Sequence, residues 1–311
     1  LTISLGAAST GAGAVAAAST ETVVIASGGA RTGTDTVASV TQPITLGATQ
    51  SLTLTGAGGV TITGAATADT IVATGVGGAI TIGDLTNTVG TTTFTGGAGN
   101  TTISAGTGNA NTNVTTGAGD DLITTGSGDD IIRTANGTAT IISAAGADVI
   151  VGGSGIDNIT GGSGADTMTG AGGVDTFNFT NAATGAPSVT NFDTITDYAT
   201  GTDILNGPGT LALVAEGTQG VAQAIISATG LATFDVADDT LAERIVATEA
   251  AMSAGTDVAN ETAVFSFGAD SYVFIADGTA GVGATDVLIK ITGVVVATGL
   301  AVTGGDVTSI A

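Results

Sequence analysis

Large apolar residues recur at intervals of nine through the middle of this chain. From Thr116 to Asn178 they are Ile123, Ile132, Ile141, Ile150, Ile159, Met168 and Phe177. Cut to that period, the stretch reads TGAGDDLIT, TGSGDDIIR, TANGTATII, SAAGADVIV, GGSGIDNIT, GGSGADTMT and GAGGVDTFN, seven units in unbroken register. The apolar residue is always eighth, and the sixth position is Asp121, Asp130, Ala139, Asp148, Asp157, Asp166 and Asp175. This is the pattern G-G-x-G-x-D-x-U-x, in which U is large and apolar. Six glycine-rich residues cannot hold a helix but suit a turn, because glycine tolerates positive φ and lets carbonyls crowd inward. The last three residues predict a very short strand with the eighth pointing in.

A turn and strand of this size must reverse direction to repeat, so one coil takes two units, 18 residues. Turns of units n and n+2 then stack. The carboxylates sort onto two edges: Asp121, Asp157 and Asp175 on one, Asp130, Asp148 and Asp166 on the other, with a gap at Ala139. Parallel strands stack about 4.7–4.9 Å apart, and calcium takes oxygen ligands at about 2.3–2.6 Å. An ion midway between stacked turns therefore meets oxygens from both. Asp carboxylates and Gly carbonyls supply the six to eight hard ligands calcium takes, with no soft ligand needed.

The pattern extends upstream in weaker form. Residues 1–50 read as irregular β, with short strand signals at Thr22–Ala26 and Ile44–Gly47. Residues 51–115 read as a β-solenoid with degenerate repeats, where Ile62, Ile71 and Ile80 lie nine apart, as do Phe94 and Ile103. Two units there are decayed nonapeptides: one offers Asp69 as a candidate ligand, and the other has Thr101 where Asp should stand. Residues 116–178 form the regular roll and residues 179–210 close it. Residues 211–311 change character, to a small mixed α/β cap. Its helix candidates are Gly220–Ser227 and Asp239–Ser253, the second with Asp238 or Asp239 as N-cap and Leu241, Ile245 and Met252 near one face. A hairpin turning at Gly268–Asp270 and a strand in DVLIKITGV follow, gathering Phe265, Phe267, Tyr272 and Phe274 as core.

Composition narrows the function. Of 311 residues 42% are hydrophobic but only 3% aromatic, which favours a slender core. Net charge is −23, and the acids are 22 Asp against five Glu, suited to short-armed turn ligands. Without counter-ions such a chain repels itself, and bound calcium neutralises part of that charge. Four cations, Arg31, Arg133, Arg244 and Lys290, cannot build a nucleic-acid surface. With no Cys and no His, disulfides, common zinc sites and His-dependent nucleophile systems are excluded. No apolar run reaches the ~18–20 residues of a membrane helix, so no span is expected. A chain opening at Leu1 without a signal peptide reads as a mature or proteolysed piece of a longer protein.

On these nonapeptides the chain resembles the RTX (repeats-in-toxin) family, whose parallel β-roll binds calcium. The resemblance implies an all-β fold, mainly an elongated parallel β-solenoid. It also implies several calcium ions, held by the second and fourth carbonyls and the sixth carboxylate of each unit. Those are Gly117, Gly119 and Asp121; Gly126, Gly128 and Asp130; Gly153, Gly155 and Asp157; Gly162, Gly164 and Asp166; Asp148 and Asp175 complete the carboxylates. Unit 134–142 lacks both the second Gly and the Asp, and in unit 143–151 Ala144 replaces the second Gly and strains the turn. Asp193, Asp197 and Asp203 resemble the D-x-I-x-D-[FY]-x-x-G-x-D-x-[IL] segment that closes many RTX rolls, where Asp203 is taken as a further ligand. As plain residues, the three serve equally well as turn and cap positions.

The run SYVFIADGTAGVGATDVLIKITGV resembles the carboxyl-terminal region of RTX proteins exported by type I secretion, including surface-layer (S-layer) proteins of the Caulobacter type. That resemblance implies a secreted, non-enzymatic structural protein on the cell surface. It would assemble with copies of itself, contact surface polysaccharide or lipopolysaccharide, and fold as extracellular calcium neutralises its Asp ladders. Two other readings stand beside it. Regular Thr on one solenoid face, as in TTTFT and LTLTG, suits a calcium-dependent adhesin. An RTX module of a polysaccharide-acting enzyme is the other, although Tyr198 and Tyr272 have no cation near them in sequence.

Overall fold

A computed structural model describes residues 2–5, 15–16, 23–27, 38–40, 44–45, 51–56, 59–67, 69–85, 90–105, 110–179, 188–213, 224–234, 238–252 and 259–311; before residue 51, and at 56 and 63–67, it describes backbone alone. Two compact units divide the chain, Leu1–Asp157 and Asn158–Ala311.

The first unit is a parallel β-solenoid. One sheet runs through Thr2–Leu5, Val23–Ser27, Ser51–Gly56, Thr70–Val76, Thr92–Thr95, Thr112–Thr115, Ile131–Arg133 and Val149–Gly153. The other runs through Val15–Ala16, Ile44–Thr45, Val60–Thr67, Ile80–Leu85, Thr101–Ser104, Asp121–Thr124 and Ala139–Ile142. From Ser51 onward, strand pairs within each are parallel and join every second strand of the sequence, so each coil contributes once to each sheet. Residues 1–50 supply the short strands expected there; their side chains lie outside the described residues.

The alternation buried, half-exposed, buried along each short strand sets the core. In one sheet Phe94, Val114, Ile132 and Ile150 stand in register; in the other, Ile62, Ile82, Ile103, Ile123 and Ile141 do. All nine are buried. Each such side chain is worth about 1.5–3 kcal/mol of transfer free energy.

The spacing of nine through Ile62, Ile71 and Ile80 misplaces one of them. Ile82, not Ile80, is in register with Ile62; Ile80 is opposite Val60 and Thr101. Thr102 is opposite Leu122, so the inward column through Val60, Ile80 and Thr101 continues into Asp121. The position that carries Asp in the regular repeats is thus an inward position that is apolar farther upstream.

In the second unit, Asn158–Thr160, Thr176–Asn178 and Ile204–Asn206 pair in parallel, and Asp306–Ile310 then pairs antiparallel to Ile204–Asn206, with Leu300–Thr303 outside it. Thr167–Ala171 pairs with Asp193–Ile195, and that strand with Val287–Ile291. The expected hairpin is present as Glu261–Phe267 and Asp270–Ile275, with Val287–Ile291 antiparallel beside it. One helix, Leu241–Met252, packs Ile245, Ala251 and Met252 against Phe265, Tyr272 and Phe274. Its N-cap is Thr240 rather than Asp238 or Asp239: Thr240 Oγ1 accepts the Glu243 N–H at 3.3 Å while Glu243 accepts the Thr240 N–H at 3.0 Å, a capping box. The other helix candidate is not helical where described. Ile225–Ile226 is a strand paired antiparallel with Ala232–Thr233, as its β-branched pair before a Gly230 turn at φ +73° favours.

Candidate metal centre

In the first unit each sixth-position carboxylate faces the coil before its own, and in the second the closing-segment carboxylates Asp193 and Asp203 do the same. In the first unit, Oδ1 of Asp130 accepts the Thr112 N–H at 2.6 Å, Oδ1 of Asp148 the Asp130 N–H at 2.7 Å, Oδ1 of Asp121 the Thr101 N–H at 2.8 Å and Oδ1 of Asp157 the Ala139 N–H at 2.8 Å. In the second, Oδ1 of Asp193 accepts the Asp166 N–H at 3.0 Å and Oδ1 of Asp203 the Asp175 N–H at 3.1 Å. The two stacks in the first unit are those expected from the 18-residue coil. The gap is also visible. Where Ala139 stands in place of Asp, the Asp121 N–H turns to a backbone carbonyl, that of Thr138, at 2.9 Å.

All the predicted carboxylates, Asp121, Asp130, Asp148, Asp157, Asp166, Asp175 and Asp203, are buried. Burial pushes the Asp121, Asp130 and Asp157 carboxyls above the ordinary value, opposed by the amides they accept. Oδ2 of Asp130 is buried with no hydrogen-bond partner; the Thr125 hydroxyl at the start of that unit donates to the Ser143 carbonyl at 3.1 Å. At Asp121 the equivalent hydroxyl, Thr116, does reach Oδ2, at 2.5 Å. Where the first residue is glycine, at Gly152, Gly161 and Gly170, a Cβ would fall on Oδ2 of Asp157, Asp166 and Asp175. The first glycine therefore keeps room for the carboxylate.

The turns themselves stack too tightly for side chains. A Cβ at Gly137, Gly146 or Gly155 would strike the carbonyl oxygen of Gly119, Gly128 or Gly137 one coil back, and one at Gly153 the carbonyl of Ala135. Fourth-position carbonyls, Gly119 and Gly128 among them, therefore aim along the stack toward the next turn. The second-position carbonyls of Gly126 and Ala135 accept the N–H of Ala145 and Ser154 there, at 3.2 and 2.8 Å. Gly153, Gly162 and Gly164 take φ of +110°, +102° and +135°. Ala144 is forced to +72° in the same role, the strain expected of it, and Ala171 to +71°. Asp69 is the bend residue just before the strand Thr70–Val76, its carbonyl accepting the Thr93 N–H.

Among the described residues no three carboxylates converge on one point, so an ion between coils would need carbonyl oxygens to complete its ligands. An inward carboxylate with a buried unpaired oxygen, beside a stack of carbonyls and with no nitrogen or sulfur donor in the turns, fits a hard divalent cation. Residues 107–141 and 142–177 each match the model of the RTX calcium-binding nonapeptide repeat, which spans four copies of the repeat. The roll is an array of RTX calcium-binding repeats. The match covers under a quarter of the 311 residues and begins ahead of the seven regular units. No curated protein matches the chain.

The RTX roll also uses residues the sequence reading passed over. Fifth-position carboxylates work in the opposite sense to the sixth: Asp120 Oδ1 accepts the Thr138 N–H at 3.1 Å and Asp129 Oδ1 the Ala147 N–H at 2.9 Å, both exposed. Asn100 and Asn111 serve Asp120 and Asp129 in the same way one coil earlier. The Asp-Asp doublets at 120–121 and 129–130 were the available signal. In the closing segment, Asp197 accepts the N–H groups of Gly170 and Ala171 with its two oxygens, at 3.0 and 2.7 Å. Tyr198 donates to the Asp203 carbonyl at 3.0 Å, and its own hydroxyl pKa is driven upward by burial and by Asp203.

Proposed function

We propose that this chain is a structural, calcium-dependent, self-assembling S-layer protein, exported by a type I system and folded by extracellular calcium. The observation that carries the reading is the stack of buried carboxylates, each facing an adjacent coil in a chain of net charge −23. Charges of one sign buried this closely oppose folding unless cations accompany them. Extracellular calcium modules bind at about 10⁻⁴–10⁻³ M, so such a roll stays open where calcium is scarce and closes outside the cell. No helix among the described residues is long and apolar enough to cross a membrane.

Lateral association with its own copies is supported by large apolar residues on the outside of the first unit: Leu122, Ile142, Val149 and Ile156, the last 60% exposed. Surface polysaccharide or lipopolysaccharide would be the anchor of such a layer. The test is negative-stain electron microscopy of protein stripped with chelator and then given millimolar calcium. Ordered two-dimensional sheets that form with calcium and vanish with chelator are expected. Compact separate particles would overturn self-assembly and favour the adhesin or enzyme-module reading, the first of which the outward Thr93 and Thr95 suit.

A further inference from the structure

Arg244 is one of four cations in a chain with 27 acids, yet among the described residues it meets no carboxylate. It projects from the helix Leu241–Met252, with its guanidinium carbon 5.0 Å from the ring centre of Phe234 and 5.3 Å from that of Phe267. Nε donates to the Asp238 carbonyl at 3.0 Å and Nη1 to the Ser266 carbonyl at 2.5 Å. A guanidinium has five N–H donors, so three remain beyond these two. Glu243 is bound to Thr240 and Glu249 to the Gly281 N–H, and Asp238 lines a separate cavity with Ala242 and Val246, its Oδ2 buried without a hydrogen-bond partner among the described residues.

The guanidinium lines a cavity of about 400 Å³ whose other walls include Leu231, Thr233, Phe234, Ser266 and Val296. The polar atoms beside it are already used: Thr233 donates to the Ile225 carbonyl at 3.3 Å and Ser266 to the Val296 carbonyl at 3.3 Å. What is left is one charged planar fork beside Phe234, Leu231 and Val296, in an open cavity whose lining is mixed polar and apolar. A charged group placed beside an aromatic ring is the kind of contact that fixes a small ligand's orientation.

We propose that this cavity in the cap binds a ring-bearing monocarboxylate, with the Arg244 guanidinium on the carboxylate and the ring against Phe234, Leu231 and Val296. A planar fork pairs bidentately with a carboxylate. A dianion such as a phosphate monoester is disfavoured, because no second cation lines the cavity and the chain is strongly acidic. The carboxylate can sit on an aromatic ring or on a sugar acid, and the experiment separates the two.

The test uses the full chain in calcium, with Leu and Val methyl resonances followed as benzoate, D-glucuronate or uncharged D-glucose is added. Expected is saturable movement of the Leu231 and Val296 methyls with benzoate or with D-glucuronate, whichever ring fits, and none with D-glucose. Arg244→Gln should weaken that binding roughly tenfold or more. Thr233→Trp adds a bulky ring at an exposed lining position and keeps the arginine, and should abolish binding while the remaining methyl spectrum stays native, which separates loss of a site from loss of the fold. Absence of saturable shifts with both acids, equal binding of D-glucose, or unchanged binding in both variants would overturn the proposal.

Discussion

Oδ1 of Asp148 accepts the backbone N–H of Asp130, 18 residues earlier, at 2.7 Å. The carboxylate thus has two separable roles, as acceptor for a buried amide and as charge beside the stacked turns. Asp148→Asn keeps an oxygen for the Asp130 amide and removes the charge; Asp148→Ala removes both. In chelator the alanine variant should be less stable than the asparagine variant by about 1–3 kcal/mol, the cost of an orphaned buried donor. Both should gain less from calcium than the parent. Urea unfolding with and without calcium measures each difference.

Ala139→Asp tests the same relationship from the gap. The Asp121 amide now held by the Thr138 carbonyl would regain a carboxylate acceptor. The expected outcome is lower stability in chelator, because another buried charge has been added, and a larger calcium-induced rise in the unfolding midpoint. An equal or smaller response to calcium would argue against position 139 as an interrupted ligand site.

Two glycine-site substitutions should move stability in opposite directions. Gly155→Ala places a methyl on the Gly137 carbonyl of the turn below and should cost about 3 kcal/mol. Ala144→Gly relieves a residue held at φ +72° and should add about 1 kcal/mol. Thermal unfolding in calcium reads both.

In the cap, burial first, then the nearby Asp277 and Glu249 charges, raise the Asp286 pKa to about 6 from 3.8, although its carboxylate accepts the Gly283 and Asp277 amides. A raised folded-state value means that the group's contribution is complete below 3.8 and is lost as pH climbs through about 6. Asp277 shifts the other way and has finished titrating by then. Hydrogen exchange at Gly283 should therefore show easier local opening at pH 7 than at pH 4.5, after correction for intrinsic rates. Asp286→Asn should flatten that dependence.

Ile156→Ser should leave the unfolding free energy within about 0.5 kcal/mol of the parent, since the side chain is 60% exposed. If self-association uses that surface, sheets in electron micrographs should become smaller or disappear at the same calcium concentration.

The period of nine made the solenoid legible, because an inward apolar residue at the eighth position of every unit permits little else. It also sorted Asp130 with Asp148 and isolated Ala139. What it could not supply was direction. A sequence shows that Asp121 and Asp120 are adjacent, yet one reaches to the coil before and the other to the coil after, since their side chains leave the turn on different sides. The period also failed at Ile80, where coils lengthen beyond 18 residues and a fixed spacing no longer tracks register. In the cap, Gly220–Ser227 looked helical because its alanines mask the strand preference of Ile225 and Ile226. Arg244 drew no notice because a lone arginine has no periodicity to betray the two rings around it.

The one-way reach of the sixth-position carboxylates gives the roll a polarity. The amide at the sixth position of a coil is completed by the coil that follows it in the chain, while the exposed fifth-position carboxylates reach the other way. A cut after Asn178 would strand the Asp166 and Asp175 amides that Asp193 and Asp203 now hold. The closing segment is thus the keystone of an arch laid from the other side, and a chain interrupted just short of it would carry every repeat and still lack a finished end.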